Sequence, residues 1–123
     1  MKRNVVGAVG IAAALFSVPA LAHHSFAMFD GNRTVTLEGT VMEFDWTYPH
    51  AWVVMMGTDG ESAEQQWALE LPAPSGLARK GWLPKSLTPG MQISAVIHPL
   101  KDGQAGGSLL TVTLPDGTVL EGP

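Results

Sequence analysis

Thr34-Val35-Thr36-Leu37-Glu38-Gly39-Thr40-Val41-Met42-Glu43-Phe44-Asp45-Trp46 is the stretch on which the fold of this chain turns. Val35, Leu37 and Val41 share one alternation parity, whereas Met42, Phe44 and Trp46 share the other. Successive side chains of a strand point to opposite faces, so a parity change moves the apolar row to the other side. A β-bulge or strong coil near Gly39 to Met42 keeps a single buried face and bends the strand. A long, bent first strand is what a small closed barrel requires.

Downstream, Thr47-Tyr48-Pro49-His50 interrupts the pattern and residues 51–56 form an apolar run. Asp59-Gly60 marks a turn, after which Trp67, Leu69 and Leu71 alternate with polar neighbours, so the two runs read as a hairpin. Pro72-Ala73-Pro74-Ser75 ends that strand. Ser75 is expected to cap a short helix running to about Lys80, with Gly81 just beyond it. Trp82 and Leu83 are expected to pack at the barrel's end. Past the Pro89-Gly90 turn, Met91, Ile93, Ala95 and Ile97 alternate with Gln92, Ser94 and His98 until Pro99. Residues 101–107 read as a flexible loop by composition. Residues 108–114 then form another strand, Asp116-Gly117 turns the chain, and residues 118–121 add a short last strand. The order predicts an all-β fold, a small OB-like five-stranded barrel with a short helix between strands 3 and 4. A small antiparallel β-sandwich is the alternative, because strand count does not separate the two.

The N-terminus reads differently. Lys2 and Arg3 precede an apolar stretch over residues 5–18, and Pro19 is followed by the small-x-small pattern Ala20-Leu21-Ala22. The stretch is shorter than the roughly 20 residues a spanning helix needs. The expectation is a cleaved signal peptide over residues 1–22 and a periplasmic product with no stable membrane span after cleavage. An extended arm over residues 23–33 then leads into a single β-barrel domain over residues 34–123.

Composition narrows the chemistry. The 123 residues are 46% hydrophobic and 15% charged, with no cysteine and a formal net charge of -4. Without cysteine there is no disulfide framework, thiolate metal site, catalytic thiol or lipid-modified cysteine. The acidic balance speaks against nucleic acid, whose phosphates need a basic footprint. No hydrolase elbow, metalloprotease motif or phosphate loop occurs, and a binding role is favoured over catalysis.

The four histidines all fall at ends and loops. His23 and His24 open the expected mature chain, His50 lies between the first two strands, and His98 ends the fourth. In an OB-like barrel the first-to-second and fourth-to-fifth connections meet, which would make His50 and His98 neighbours. The arm over residues 23–33 spans at most about 36 Å and so can return the terminal pair to that end. A terminal amine and its own imidazole chelate one ion, and a further imidazole completes a T-shaped set of three nitrogens. Such ligation suits Cu(II) better than Zn(II), so His23, His24, His50 and His98 are candidate ligands for a metal ion, copper favoured. A periplasmic protein of this kind would carry, buffer or deliver the ion. The plainer reading is a solvated terminus and a strand-end His98 held by Pro99.

Trp46, Tyr48 and Trp52 cluster around the same connection and offer a stacking surface for an envelope glycan or peptide. Against this, Trp46 and Trp52 also read as barrel core with Tyr48 at the rim. Met28, Met42, Met55, Met56 and Met91 contain thioether sulfur, yet their dispersal favours packing over copper(I). Glu70 and Asp45 have acid-base chemistry but no partner at catalytic spacing in the sequence. A structural subunit of an envelope assembly, with an envelope protein as partner, is a third possibility.

One combination of motifs is specific. His23-His24-Ser25-Phe26, Phe29-Asp30, Val35-Thr36-Leu37-x-Gly39-Thr40-Val41 and Trp46-x-x-Pro49-His50-Ala51-Trp52 occur together with Trp67-x-x-Glu70. Pro74, Leu77, Arg79, Gly81-Trp82, Leu87 and Pro89-Gly90 follow. In this set the chain resembles the exported bacterial family known as domain of unknown function 6152, over essentially all of the expected mature chain. It departs in carrying Tyr48 where the family usually has Asn. The resemblance implies export and one small β domain, and it implies that the His23-His24 and Pro49-His50 pairs belong to the family pattern. It supplies no catalytic residues.

Overall fold

Alternation of apolar and polar residues produces the observed strands almost directly. The computed structural model describes residues 26–123. Strand β1 (Val35–Asp45) is the long first strand, followed by β2 (Trp52–Thr58) and β3 (Gln65–Glu70). A short helix α1 (Pro74–Arg79) precedes β4 (Gln92–Pro99), β5 (Gly106–Thr113) and a short β6 (Val119–Glu121). Among these residues no helix is long and apolar enough to cross a membrane.

Strand β1 pairs with β2 through its whole second half and with β4 through its first half, both antiparallel. It can serve two partners because it bends. The β1–β2 register slips between Val41 and Glu43, leaving Met42 as the extra, exposed residue. Leu37 and Val41 point into the core before the slip, and Phe44 packs against the core after it. Of the two expected explanations of the parity change, bulge or strong coil, the structure has the bulge. Gly39 faces Gly57 across the β1–β2 ladder, and a Cβ at Gly39 would overlap the Met56 carbonyl.

Closure comes from a parallel pairing of β3 with β5, Ala68 with Gly106, Leu69 with Gly107 and Glu70 with Ser108. With β4–β5 also paired, the circuit β1-β2-β3-β5-β4 returns to β1. A sandwich has no such circuit, so the barrel is the fold. Gly106 and Gly107 belong to β5, not to the preceding loop as their composition indicates. At Gly107 a Cβ would meet the His98 carbonyl, so glycine here permits close approach of strands, not mobility.

The interior holds Leu37, Val53, Met55, Leu69, Ile97, Leu109 and Val112 with no exposed surface. Helix α1 lies between β3 and β4 as expected, but Ser75 does not cap it. Ala73 is the capping residue with no side-chain bond, and Pro74 takes the first turn, where its missing N–H costs nothing. Gly81 ends the helix with φ of 93°. Trp82 is fully buried and donates its indole N–H to the Glu121 carbonyl at 2.7 Å. Leu83, expected to pack beside it, is 65% exposed. Burying the Trp82 ring turns the next side chain outward.

Of the segment read as an extended arm, Phe26–Met28 form a single 3-10 turn and Phe29 is buried. Phe29 bridges to Leu100, and the Asp30 N–H donates to the Pro99 carbonyl at 2.8 Å. The arm is thus fastened to the barrel from residue 28 onward.

Candidate functional site

The connection from β1 to β2 is held tightly at its far end. Ala51 N–H donates to the Pro72 carbonyl at 3.2 Å, and Leu71 N–H donates to the Ala51 carbonyl at 3.0 Å. These two bonds continue the β2–β3 ladder beyond the strands and fix the backbone beside His50. Pro49 enters through a cis peptide bond, and the Thr47 hydroxyl donates to the His50 carbonyl at 3.2 Å.

So placed, the His50 ring meets the end of β3. Its Nδ1 lies 2.9 Å from the Leu71 carbonyl and 3.3 Å from Oε1 of Glu70. A carbonyl oxygen only accepts, so Nδ1 carries the proton, and in the neutral ring the lone pair resides on Nε2. The Glu70 side chain is 8% exposed and that of His50 is 24% exposed. Glu70 stands between Trp52 of β2 and Ser108 of β5 in the strand registers, so its position is set from both sides.

A cavity of about 230 Å³ opens at this pair. His50, Glu70 and Ser108 are the lining residues with polar side chains, and Phe29, Pro49 and Leu71 are among the apolar ones. That volume exceeds the ~150 Å³ of a cavity known to admit a benzene-sized molecule. Phe29, directly after the 3-10 turn Phe26–Met28, is part of this wall.

The other expected site residues are distributed differently. His23 and His24 lie outside the described residues. His98 does not line the cavity. Its Nδ1 donates to the Arg33 carbonyl at 2.7 Å, and in register it stands opposite Ser108, one strand beyond Glu70. His50 and His98 thus do not share this cavity, and in register Ser108 of β5 stands between Glu70 and His98. Among the described residues no three His, Asp or Glu side chains form a group able to hold a metal ion.

Trp46, Tyr48 and Trp52 do not line this cavity. Trp46 packs edge-on against Phe44 at 5.8 Å between centroids, Phe44 in turn lies 5.8 Å from Trp82, and Tyr48 is 68% exposed. Trp52 is half-buried and stands between Asp45 and Glu70 in register. The methionines are dispersed, with Met55 buried and Met28 and Met42 exposed.

Glu70 is the residue whose place the sequence hides. It follows Leu69 and precedes Leu71, both buried, and its partner lies twenty positions away. A carboxylate at the end of an otherwise inward-alternating strand is the one signal available. Asp45 meets a carboxylate instead: a hydrogen bond with Asp45 and repulsion from its charge raise the Glu43 pKa above its ordinary value.

A family model described as "Family of unknown function (DUF6152)" matches residues 12–109, most of the chain, and the chain belongs to that family. No curated protein matches the chain, and no solved structure does.

Proposed function

We propose that this DUF6152 chain is an exported, periplasmic metal-binding protein, with copper favoured. Residues 1–22 act as the cleaved signal, and the new N-terminus supplies the His23 amine and ring, assisted by His24. His50 supplies a further imidazole through Nε2. The observation that carries this reading is that Phe29 and His50 line one cavity.

From Phe29, His23 lies only six residues upstream. Six residues span up to about 20 Å when extended, and a 3-10 turn at 2.0 Å per residue shortens this to about 16 Å. Either length exceeds the width of a cavity of about 230 Å³. Three nitrogen donors without thiolate suit Cu(II). The bond from Nδ1 to the Leu71 carbonyl presents Nε2 as the ligating atom, as is usual for metal-binding imidazole. Metal and protons compete for the same nitrogens, so affinity falls as the solution is acidified.

The test is calorimetric titration of Cu(II) into chain beginning at His23 and into chain with one additional residue before His23. The first binds tightly and the second weakly, because the amine and ring then belong to different residues. Equal affinity in the two, or no binding by the first, overturns the proposal.

A further inference from the structure

The cavity at the end of β3 is walled mainly by carbon. Three of its nine lining residues are prolines, Pro49, Pro72 and Pro123, and Phe29, Leu71 and Ala73 are apolar as well. Proline has a fixed φ and no backbone N–H, so these walls are stiff and offer few amide donors. The Leu71 N–H is engaged by the Ala51 carbonyl at 3.0 Å, and His50 Nδ1 is turned to the Leu71 carbonyl at 2.9 Å. Hydrogen bonds also fix the walls from outside. Gly76 and Leu77 donate to the Ala73 carbonyl at 3.0 and 3.2 Å, and Gly122 N–H donates to the Leu110 carbonyl at 2.8 Å just before Pro123. The space is therefore preformed, as small-molecule sites usually are. An ordered water needs about two to four polar partners, and these walls supply few, so an organic body gains by taking the place of water here.

We infer that this cavity binds a small organic molecule, a single aromatic ring that bears one hydrogen-bond donor and no negative charge, with phenol as its simplest form. Size sets the ring count: about 230 Å³ exceeds the ~150 Å³ that admits benzene and leaves room for a substituent. The flat faces of Phe29 and the prolines suit a flat ring. Glu70 sets the polarity. Its side chain is 8% exposed, and a carboxylate only accepts, with about four acceptor positions on its two oxygens. It can therefore take a bond from a ligand hydroxyl beside those it makes within the chain. The same charge, at a site of low exposure with no lysine or arginine among the lining residues, repels an anionic ligand. This site uses no metal ion and none of residues 1–25, so it goes beyond the proposed function and stands without it.

The test titrates phenol into protein purified after expression of the full chain, with a metal chelator present, and follows the backbone amides by NMR. Saturable shifts are expected at Leu71, Ala73 and Ser108, with a Kd of about 1 mM or tighter. Benzoate, the same ring with a negative charge, binds about 10-fold or more weakly than phenol, the scale of one hydrogen bond to a charged group. Glu70→Gln keeps an acceptor of nearly the same shape without the charge, and the preference for phenol over benzoate shrinks, which a merely structural Glu70 would not change. Ala73 is half-buried in the wall, and Ala73→Leu weakens phenol binding by about 10-fold or more because ligand and added carbons compete for one space. This second variant keeps the test decisive if Glu70→Gln does not fold, and thermal unfolding shows which variants are folded. No saturable shift up to about 10 mM phenol, or shifts scattered away from the cavity, overturns the inference. So does benzoate bound as tightly as phenol by the wild type, or a folded Ala73→Leu variant with unchanged phenol affinity. Because the chelator removes free copper, either result leaves the copper titration to be judged by itself.

Discussion

His50 and His98 begin from the same local bond and end in different surroundings. Each ring directs Nδ1 at a backbone carbonyl, Leu71 at 2.9 Å for His50 and Arg33 at 2.7 Å for His98. Around His50 there is also a carboxylate at 3.3 Å, a cavity of about 230 Å³ and a wall of Phe29 and Pro49. His98 sits opposite Ser108 on the barrel's outside, and its hydrogen bond serves to hold the strand leading into β1. A histidine's chemistry is decided by what stands behind and in front of the ring, and the same carbonyl bond sets a ring into a cavity wall in one place and fastens a loop in the other.

The comparison can be broken most severely through the packing beneath the His50 neighbourhood. Trp82 is fully buried and holds the Glu121 carbonyl, two residues before Pro123 in the cavity wall. Trp82→Ala is expected to cost about 3–5 kcal/mol of stability, the range for large aromatic truncation. Thermal or denaturant unfolding measures this, and a loss below about 1 kcal/mol would show that the buried ring contributes little to the packing.

A second difference concerns copper itself. His50→Ala is expected to lower Cu(II) affinity by more than the roughly 10- to 100-fold lost when a ligating imidazole loses its outer partner. His98→Ala should leave that affinity unchanged within error. Parallel titrations of the two variants compare the neighbourhoods directly, and an equal loss in both would erase the distinction drawn between them.

The smallest effect belongs to the groove near His98, where Asp59 lies with Arg33 and Pro99 around a space of about 280 Å³. Backbone N–H bonds from Ser62 and Glu61, then the Ser62 hydroxyl, hold the Asp59 carboxyl below its ordinary pKa. A depressed folded pKa stabilises the protein above the unfolded carboxylate range, and that stability disappears as pH falls through the folded value. Asp59→Ala should therefore lower Tm slightly at neutral pH, and the difference from wild type should close in acid. A difference that persists unchanged at low pH would assign it to something other than the charge.

Much of this architecture is legible in the chain. The parity switch between Val41 and Met42 announces the bulge, Asp59-Gly60 announces the hairpin, and Gly81 announces the end of the helix. Sequence and structure part where a residue answers to a distant strand. Gly106 and Gly107 read as loop because glycine usually marks turns, but they are flattened against β3 and β4. Ser75 reads as a cap because of its side chain, whereas Pro74 starts the helix by its fixed φ alone. His50 was visible as a candidate from its place after Pro49, but Glu70 beside it was not, since nothing in residues 50–70 says which carboxylate will arrive at that ring.

Periodicity by itself determined that this is a β protein with one bent strand, because alternation is a property of neighbours along the chain and survives in any arrangement of strands. Only the closed barrel decided that Glu70 meets His50 and that Ser108 parts it from His98. Those relations depend on strand register and on where the circuit closes, and both emerge from the summed packing of the core. Local preference proposes the elements, and the geometry of closure selects which polar groups share a cavity.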